Sequence, residues 1–428
     1  MAKVITTELQ HSGASAANIT LDSSKNVTCE NNLQVDGNVT VTGTLPADKL
    51  TGNLPAISGA SLTGISSPAA GRNKIINGGM IINQRGNVTG KTSSSNEYWG
   101  PDRYQAKMSS SAAGTWSVSQ ETDAPEGFSN SLLWHCTSGV TMSGSNNVYF
   151  RHKIEAQNLV DWKWGTSNAK DVVLSFYVKS TETGVGTISA FHSDHDTSDA
   201  NTGYTYTINA ANTWERKTIQ IAKSTSDAFD VNNSTGLSLY FNLDGGPDLK
   251  TGTLNTSWGA WNSANWMVGQ TIAIAGTGKK YWITGIQLEE GTTATDFEHR
   301  TWHDELLRCQ RYYWQFPIDS ERGEDLNGIL GLGHSVSATE LTVPVQNPVY
   351  MRVPPTLENV TGMTNTWNSQ HGGGNWGTWT MGGTWGTATN NLHSWVKFTG
   401  SGATSDESVL IYRSDSATES VVGFDAEL

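Results

Sequence analysis

The chain has almost no cysteine: Cys29, Cys136 and Cys309 are all it carries in 428 residues. Spaced so widely, they form neither a disulfide framework nor a zinc pattern. Charged residues are scarce too, at 16% against about 25% in an average soluble protein. Those present run acidic, 27 Lys and Arg against 40 Asp and Glu, for a net charge of −13. Phosphate backbones and anionic membrane surfaces both call for clustered Lys and Arg, so no nucleic acid partner is expected. No apolar stretch approaches the roughly 18 residues of a spanning helix, so no membrane insertion is expected. Met1 to Gln10 lacks a hydrophobic signal region, which predicts synthesis in a cytoplasm without export by that route.

Aromatic residues are missing from the first part of the chain, none preceding Tyr98. Residues 1–71 are mostly Ala, Gly, Ser, Thr, Asn, Leu and Val, which cannot build an ordinary compact core. Order there would come from identical copies wrapped around each other, or from a larger assembly that grips the segment. Leu33, Val35, Val39 and Val41 share one parity, the period of a strand. Asp36-Gly37 in their midst suits a two-residue hairpin turn or a bend in a fibrous strand. Leu-Thr-Gly recurs at Leu50 and Leu62, as in a stalk of short strands with glycine corners. A flexible linker is the alternative reading of the same stretch.

Beyond a boundary at Ser67 to Gly71 the chain turns β-rich and aromatic. Strand candidates are Lys74 to Asn83, Leu132 to Cys136, Val148 to Ile154, Val172 to Lys179, Thr187 to His192, Thr205 to Ile208, Glu215 to Ile221, Leu237 to Leu243 and Tyr281 to Leu288. Short strands separated by Asn, Asp, Gly and Ser predict an all-β sandwich or jelly roll over residues 72–300. One helix is predicted over 301–316: Thr301 and Asp304 approximate a capping box, and Trp302, Leu306, Cys309 and Tyr313 fall at helical spacing. Leu306, Cys309 and Tyr313 are expected on its buried face. Residues 317–428 read as a C-terminal β domain. From Thr301 onward 6 Lys and Arg face 14 Asp and Glu, so most of the net charge sits at this end.

Few groups invite catalysis. Asp194, Asp196 and Asp199 would offer oxygens to a calcium ion, but their loop lacks the EF-hand glycine and distal glutamate, so no cofactor is expected. His299 and His303 suit a metal only if both lie on one helix face, and a third ligand is not evident. Glu289, Glu290 and Glu298 are the carboxylates to try for glycosidase chemistry. Adjacent strand residues point to opposite faces, which separates Glu289 from Glu290. The expectation is a non-enzyme. The 17 tryptophans are more telling. Sugar rings present C–H faces that pack on aromatic planes. Trp367, Trp376, Trp379 and Trp385 are framed by glycines and are expected on exposed loops as a carbohydrate-binding surface, with Trp258 and Trp261 as the next candidates.

Three stretches resemble bacteriophage tail fibre and receptor-binding proteins. Gly71-Arg72-Asn73-Lys74-Ile75-Ile76-Asn77-Gly78-Gly79-Met80, continuing to Gly86, is similar to the "GRNLIINGAMQIAQRG" opening of a carbohydrate-binding, jelly-roll-like fibre domain, and Tyr98 to Tyr104 fits the stretch that follows it. Trp282 to Gly291 with Ala294 to Arg300 resembles that domain's closing strand and exit, and Glu305 to Tyr313 the helix beyond. Val349 to Leu357 is similar to a segment of the C-terminal fibre domain. Asp296 stands where the family usually has proline. The resemblance implies a homotrimer in the virion tail, held by a tail or baseplate protein through its N-terminus. It implies a C-terminal tip that adsorbs to a host surface polysaccharide or receptor. A glycan-depolymerising tailspike and a purely structural tail or baseplate component are the alternatives.

Overall fold

In a computed structural model the chain divides into two compact units, Met1–Ile65 and Ser66–Leu428. The structure describes residues 8–9, 19–21, 27–29, 71–109, 114–193, 200–318, 327–359, 367–370, 376–384, 389–401, 408–413 and 420–428. The first unit contributes strands β1 (Glu8–Leu9), β2 (Ile19–Leu21) and β3 (Val27–Cys29), paired antiparallel in that order. The expected strand at Leu33 to Val41 and both Leu-Thr-Gly repeats lie outside the described residues, as do Asp194, Asp196 and Asp199.

Among its described residues the second unit is all-β apart from one α-helix and short helical turns. Its first part is a jelly-roll sandwich. One sheet takes β4 (Val88–Lys91), β7 (Thr115–Glu121), β8 (Ser131–Ser138), β10 (Val172–Ser180), β13 (Glu215–Ile221) and β15 (Lys280–Glu290), in the order β13-β10-β15-β8-β7-β4. The other takes β5 (Ser94–Tyr98), β6 (Tyr104–Met108), β9 (Asn147–Glu155), β11 (Gly184–His192), β12 (Ala200–Ile208) and β14 (Thr235–Gly245), in the order β12-β11-β14-β9-β6-β5. Alternation does the sorting. On β9, Val148, Phe150, His152 and Ile154 face inward while Tyr149, Arg151 and Lys153 take the outer parity. Between the sheets Phe150 stacks on Phe241 at 4.9 Å, with Trp134, Phe176 and Tyr281 around them. Each such ring contributes about 1.5–3 kcal/mol of burial.

The segment from Lys74 to Asn83 is not the strand its isoleucines suggest. Asn77 and Met80 take φ of 59° and 57°, which breaks the extended run. The Asn77 amide instead ties the loop, donating to the carbonyls of Ile82 and Asp102 and accepting from the Ile82 N–H.

The helix α1 spans Trp302–Gln310, shorter than 301–316. Thr301 caps it, accepting from the Asp304 N–H and donating to the Asp304 carboxylate. Of the residues expected on its buried face, two are fully buried and one partly. Cys309 is fully buried, Leu306 only partly, and Trp302 is exposed. The inward position in the first turn belongs to Glu305, which accepts from the Asn77 N–H at 2.6 Å and from Arg300. Tyr313 is buried, but on a strand.

The C-terminal part has two pieces. Strands β16 (Tyr313–Ile318), β19 (Thr356–Asn359) and β24 (Ser420–Asp425) make a small antiparallel sheet with Trp314 stacked on Phe424 at 4.5 Å. Strands β17 (Asn327–Ser337), β18 (Glu340–Gln346), β20 (Trp367–Gln370), β21 (Trp376–Thr384), β22 (His393–Ser401) and β23 (Ser408–Arg413) close a barrel in the order β17-β18-β22-β21-β20-β23. Closure leaves no free sheet edge. Leu341, Val343, Val396, Phe398 and Ile411 fill it.

Candidate functional site

Trp367, Trp376 and Trp379 are strand residues, not loop residues. Trp367 on β20 is paired opposite Trp379 on β21, and Trp376 is paired opposite Gln370. Trp379 is 0% exposed, and its indole N–H donates to Ser369 Oγ at 2.8 Å. It is barrel core and presents no face to a ligand. The side chains of Trp367 and Trp376 and the whole of Trp385 lie outside what the structure describes. Trp258 also serves the interior. It donates to the Ala222 carbonyl at 2.8 Å and meets Trp164 edge-on beside His192.

Trp261 is different. The loop after β14 lies on the outer face of the sheet β12-β11-β14-β9-β6-β5, pinned by an amide chain from Asn265 to Asn255 to Asn201. It sets Trp261 and Trp266 against Phe191, Tyr240 and Tyr149, which are the outward residues of β11, β14 and β9. Phe191 lies 5.2 Å from Trp261, and Trp266 meets Trp261 and Tyr149 edge-on at 5.1 Å each. Trp266 and Tyr149 are buried, while Trp261 and Phe191 stay half-buried at the rim. Next to this aromatic shelf runs a polar row. Arg151 donates to Tyr240 Oη at 2.5 Å, to Gln105 Oε1 at 2.6 Å and to Asn96 Oδ1 at 3.2 Å. Burial and the neighbouring Tyr240 hydroxyl push the Tyr149 hydroxyl well above the ordinary tyrosine value, so it stays neutral. Chemically the shelf pairs apolar ring faces with fixed donors and acceptors.

The carboxylates singled out in the sequence have other employment. Glu289 is buried and accepts from the Thr295 N–H and hydroxyl and from Gln287. Glu290 is exposed and pairs with Lys170 at 2.5 Å, on the opposite face as alternation requires. Glu298 accepts from the N–H groups of Gly71 and Asn73 at 2.6 and 2.7 Å. Burial alone would raise its pKa, but those two N–H groups and Arg300 lower it below the ordinary range. His299 packs on Phe128 and Phe297 ahead of the helix, so it shares no helix face with His303. Among the described residues no group of three His, Cys, Asp or Glu side chains is placed to hold a metal ion. Nor is any described helix long and apolar enough to cross a membrane.

The three fibre-like stretches meet in one place. Asn73 donates to the Ile286 carbonyl and accepts from the Leu288 N–H, so the opening segment closes on β15. Arg85 reaches Glu358, Asp425 and Glu427 of the C-terminal part and lies 3.4 Å over the Tyr313 ring. Arg311 holds Glu155 with two bonds of 2.8 Å and donates to the Tyr350 carbonyl at 3.0 Å. Burial would raise the Glu155 pKa, but hydrogen bonds from Arg311 and Tyr312 outweigh it and hold the carboxyl below the usual glutamate range. Arg352 donates to the carbonyls of Ala426 and Glu427. These segments are the junction between the sandwich and the small C-terminal sheet.

No protein-family model matches the chain, and no curated protein matches it. Among solved structures it is similar to the enzymatically active domain of tailspike protein 4 of bacteriophage CBA120, at 15% identity and TM-score 0.28, covering 53% of this chain and 22% of that one. It is similar to a putative sugar binding protein of Bacteroides thetaiotaomicron, at 13% identity and TM-score 0.28, covering 51% of this chain and all of that one. It is similar to the family 11 carbohydrate-binding module of a Clostridium thermocellum cellulase, at 13% identity and TM-score 0.25, covering 48% of this chain and 98% of that one.

The shelf is more legible in the fold than in the sequence. Trp261 stood out in the sequence as a candidate beside Trp258, but Phe191, Tyr240 and Tyr149 come from three strands far apart in the chain. The signal available was their parity, opposite to that of Ile188, Phe241 and Phe150.

Proposed function

We propose that the protein is a homotrimeric phage tail fibre that adsorbs to a bacterial surface by binding carbohydrate without cleaving it. In this reading the N-terminal segment attaches to a tail or baseplate protein of the virion. The observation that carries carbohydrate binding is the half-buried Trp261–Phe191 pair beside the Arg151, Gln105 and Asn96 row on the outer sheet face. An oligosaccharide laid on Trp261 and Phe191 would run across the sheet over Tyr240 toward that row. One stacked ring contributes about 1 kcal/mol, by analogy with aromatic pairs. Three copies in a trimer convert that weak term into avidity. The fibre assignment is supported by the three resembling segments and their convergence on one junction.

The test is incubation of the purified protein with host surface polysaccharide and a panel of neutral oligosaccharides. Binding without new reducing ends, weakened about fivefold by Trp261→Ala, supports the reading. New reducing ends would make the protein a depolymerising tailspike. A sedimenting mass other than that of three chains would remove the trimer.

A further inference from the structure

A second surface lies away from the shelf, where sandwich, helix and barrel meet. A cavity of about 430 Å³ is lined by Glu298, Arg308, Arg311 and Tyr350, and a wider one of about 630 Å³ by Gln157, Asn232, Arg311, Tyr350, Arg352 and Asn391. Both fall in the usual range of ligand pockets, about 300–1,000 Å³. Arg311 and Tyr350 belong to both, so they form the ridge between. A third hollow of about 300 Å³ shares Arg308 with the first and Gln157 with the second. The three make one continuous depression around the C-terminal end of α1.

Three features give it chemistry. Tyr350 is 59% exposed, a large ring left in solvent on the ridge. The lining is cationic: Lys74, Arg300, Arg308, Arg311 and Arg352 against Asp161, Glu298 and Asp304. Counting the buried partners Glu155 of Arg311 and Glu305 of Arg300, the five cations meet five carboxylates, in a chain whose net charge is −13. The cations also differ in how they are employed. Arg311 is spent on Glu155 and the Tyr350 carbonyl, and Arg352 on Ala426 and Glu427. Arg308, exposed one turn before, makes no hydrogen bond or ion pair among the described residues.

We propose that this depression is a second glycan site, selective for a saccharide that carries a carboxylate, with the sugar ring on Tyr350 and the carboxylate on Arg308. A planar guanidinium with free N–H groups suits a carboxylate in two-point contact. The amides of Gln157, Asn232 and Asn391 border the larger hollow, where the hydroxyls of the next sugar residue would lie. A neutral sugar gains nothing from Arg308, so this site and the shelf divide acidic from neutral residues of a surface polysaccharide.

The experiment is calorimetric titration of the full chain with trigalacturonate, oligomannuronate and sialyllactose, and with neutral cellotriose. At least one acidic probe should bind, with affinity falling as salt rises. Arg308→Gln and Tyr350→Ala should each weaken it about tenfold, as expected for a lost charge-assisted hydrogen bond or ring contact, and Arg308→Lys should recover part. Trp261→Ala should leave acidic binding unchanged, which separates this site from the shelf. The proposal is overturned if no acidic probe binds, or if either Arg308→Gln or Tyr350→Ala binds as the wild type does. It is also overturned if Tyr350→Ala changes the mass of the assembly, which would make the ridge a subunit contact.

Discussion

Arg103 and Glu427 stand 324 residues apart in the chain and form an ion pair closed to solvent, their side chains 1% and 5% exposed. The guanidinium also lies 3.4 Å over the Tyr312 ring and donates to the Lys153 carbonyl at 3.0 Å. Sandwich, helix end and C-terminal segment are thus locked through one side chain.

Arg103→Ala should therefore cost far more than a surface charge. Removing one partner of a buried pair leaves the other uncompensated, at about 3–5 kcal/mol. Glu427→Ala should cost a similar amount, because Arg103 and Arg85 both lose their contact to it. Calorimetry should show the melting temperature lowered and the C-terminal part melting ahead of the sandwich.

Gly78 supplies a second junction prediction. Its carbonyl accepts from the Ile286 N–H at 3.0 Å, and a Cβ there would sit 2.1 Å from the Ile286 carbonyl oxygen. Gly78→Ala must push the opening loop off β15 and should destabilise by about 2–3 kcal/mol. At Gly79 a Cβ would find Phe297 at an ordinary 3.6 Å. Gly79→Ala should be neutral within about 0.5 kcal/mol, matching the alanine at that place in the resembled fibre pattern. Equal melting temperatures for the two variants would refute the account.

Much of the fold was written in local pattern, and much of the site was not. The expected strands from Leu132 to Leu288 fall within β8 to β15 because alternation and β-branched runs are local properties. Lys74 to Asn83 misled because its isoleucines fill core pockets from an irregular loop, held by the side-chain amides of Asn73 and Asn77. The burial of Cys309 and Tyr313 was legible; Glu305, one turn before Cys309, joins them inside because Arg300 and the Asn77 N–H satisfy its carboxylate, which no sequence period announces. Gly377, Gly382 and Gly383 around Trp379 suggested a loop, yet they sit on β21 in a closed barrel whose interior takes the Trp379 ring beside Phe398. Arg308, Tyr350 and Gln157 come together only through tertiary packing, and nothing in their sequence neighbourhoods announces it.

Acid should weaken the sandwich at the turn that crosses from β12 to β13 between the sheets. Partial burial pushes the Glu215 pKa up, but bonds from Lys217, the Ala210 N–H and the Asn209 N–H and amide outweigh it, taking it from 4.5 to about 2. A folded pKa below the unfolded one means stability that is complete above pH 4.5 and is lost as the pH falls toward 2. After solvent screening the gain is about 1 kcal/mol. Denaturant titrations of the wild type and Glu215→Gln should differ at pH 6 and converge near pH 2. An unchanged difference across that window would show that Glu215 does not titrate with folding.

The two tryptophans that the sequence put in one class should separate by experiment. Trp379 fills the barrel and bonds Ser369, so Trp379→Ala leaves a cavity and an unpartnered hydroxyl, costing about 3–5 kcal/mol. Trp261 is half-buried on a rim whose underlying rings, Trp266 and Tyr149, hold each other. Trp261→Ala should cost about 1 kcal/mol in stability at most, and its effect should appear in glycan binding. Trp379→Phe keeps most of the volume and should restore folding while leaving glycan affinity at the wild-type value. A folded Trp379→Phe protein with lost adsorption would return the ligand to the barrel. A Trp261→Ala protein with wild-type adsorption would take it off the shelf.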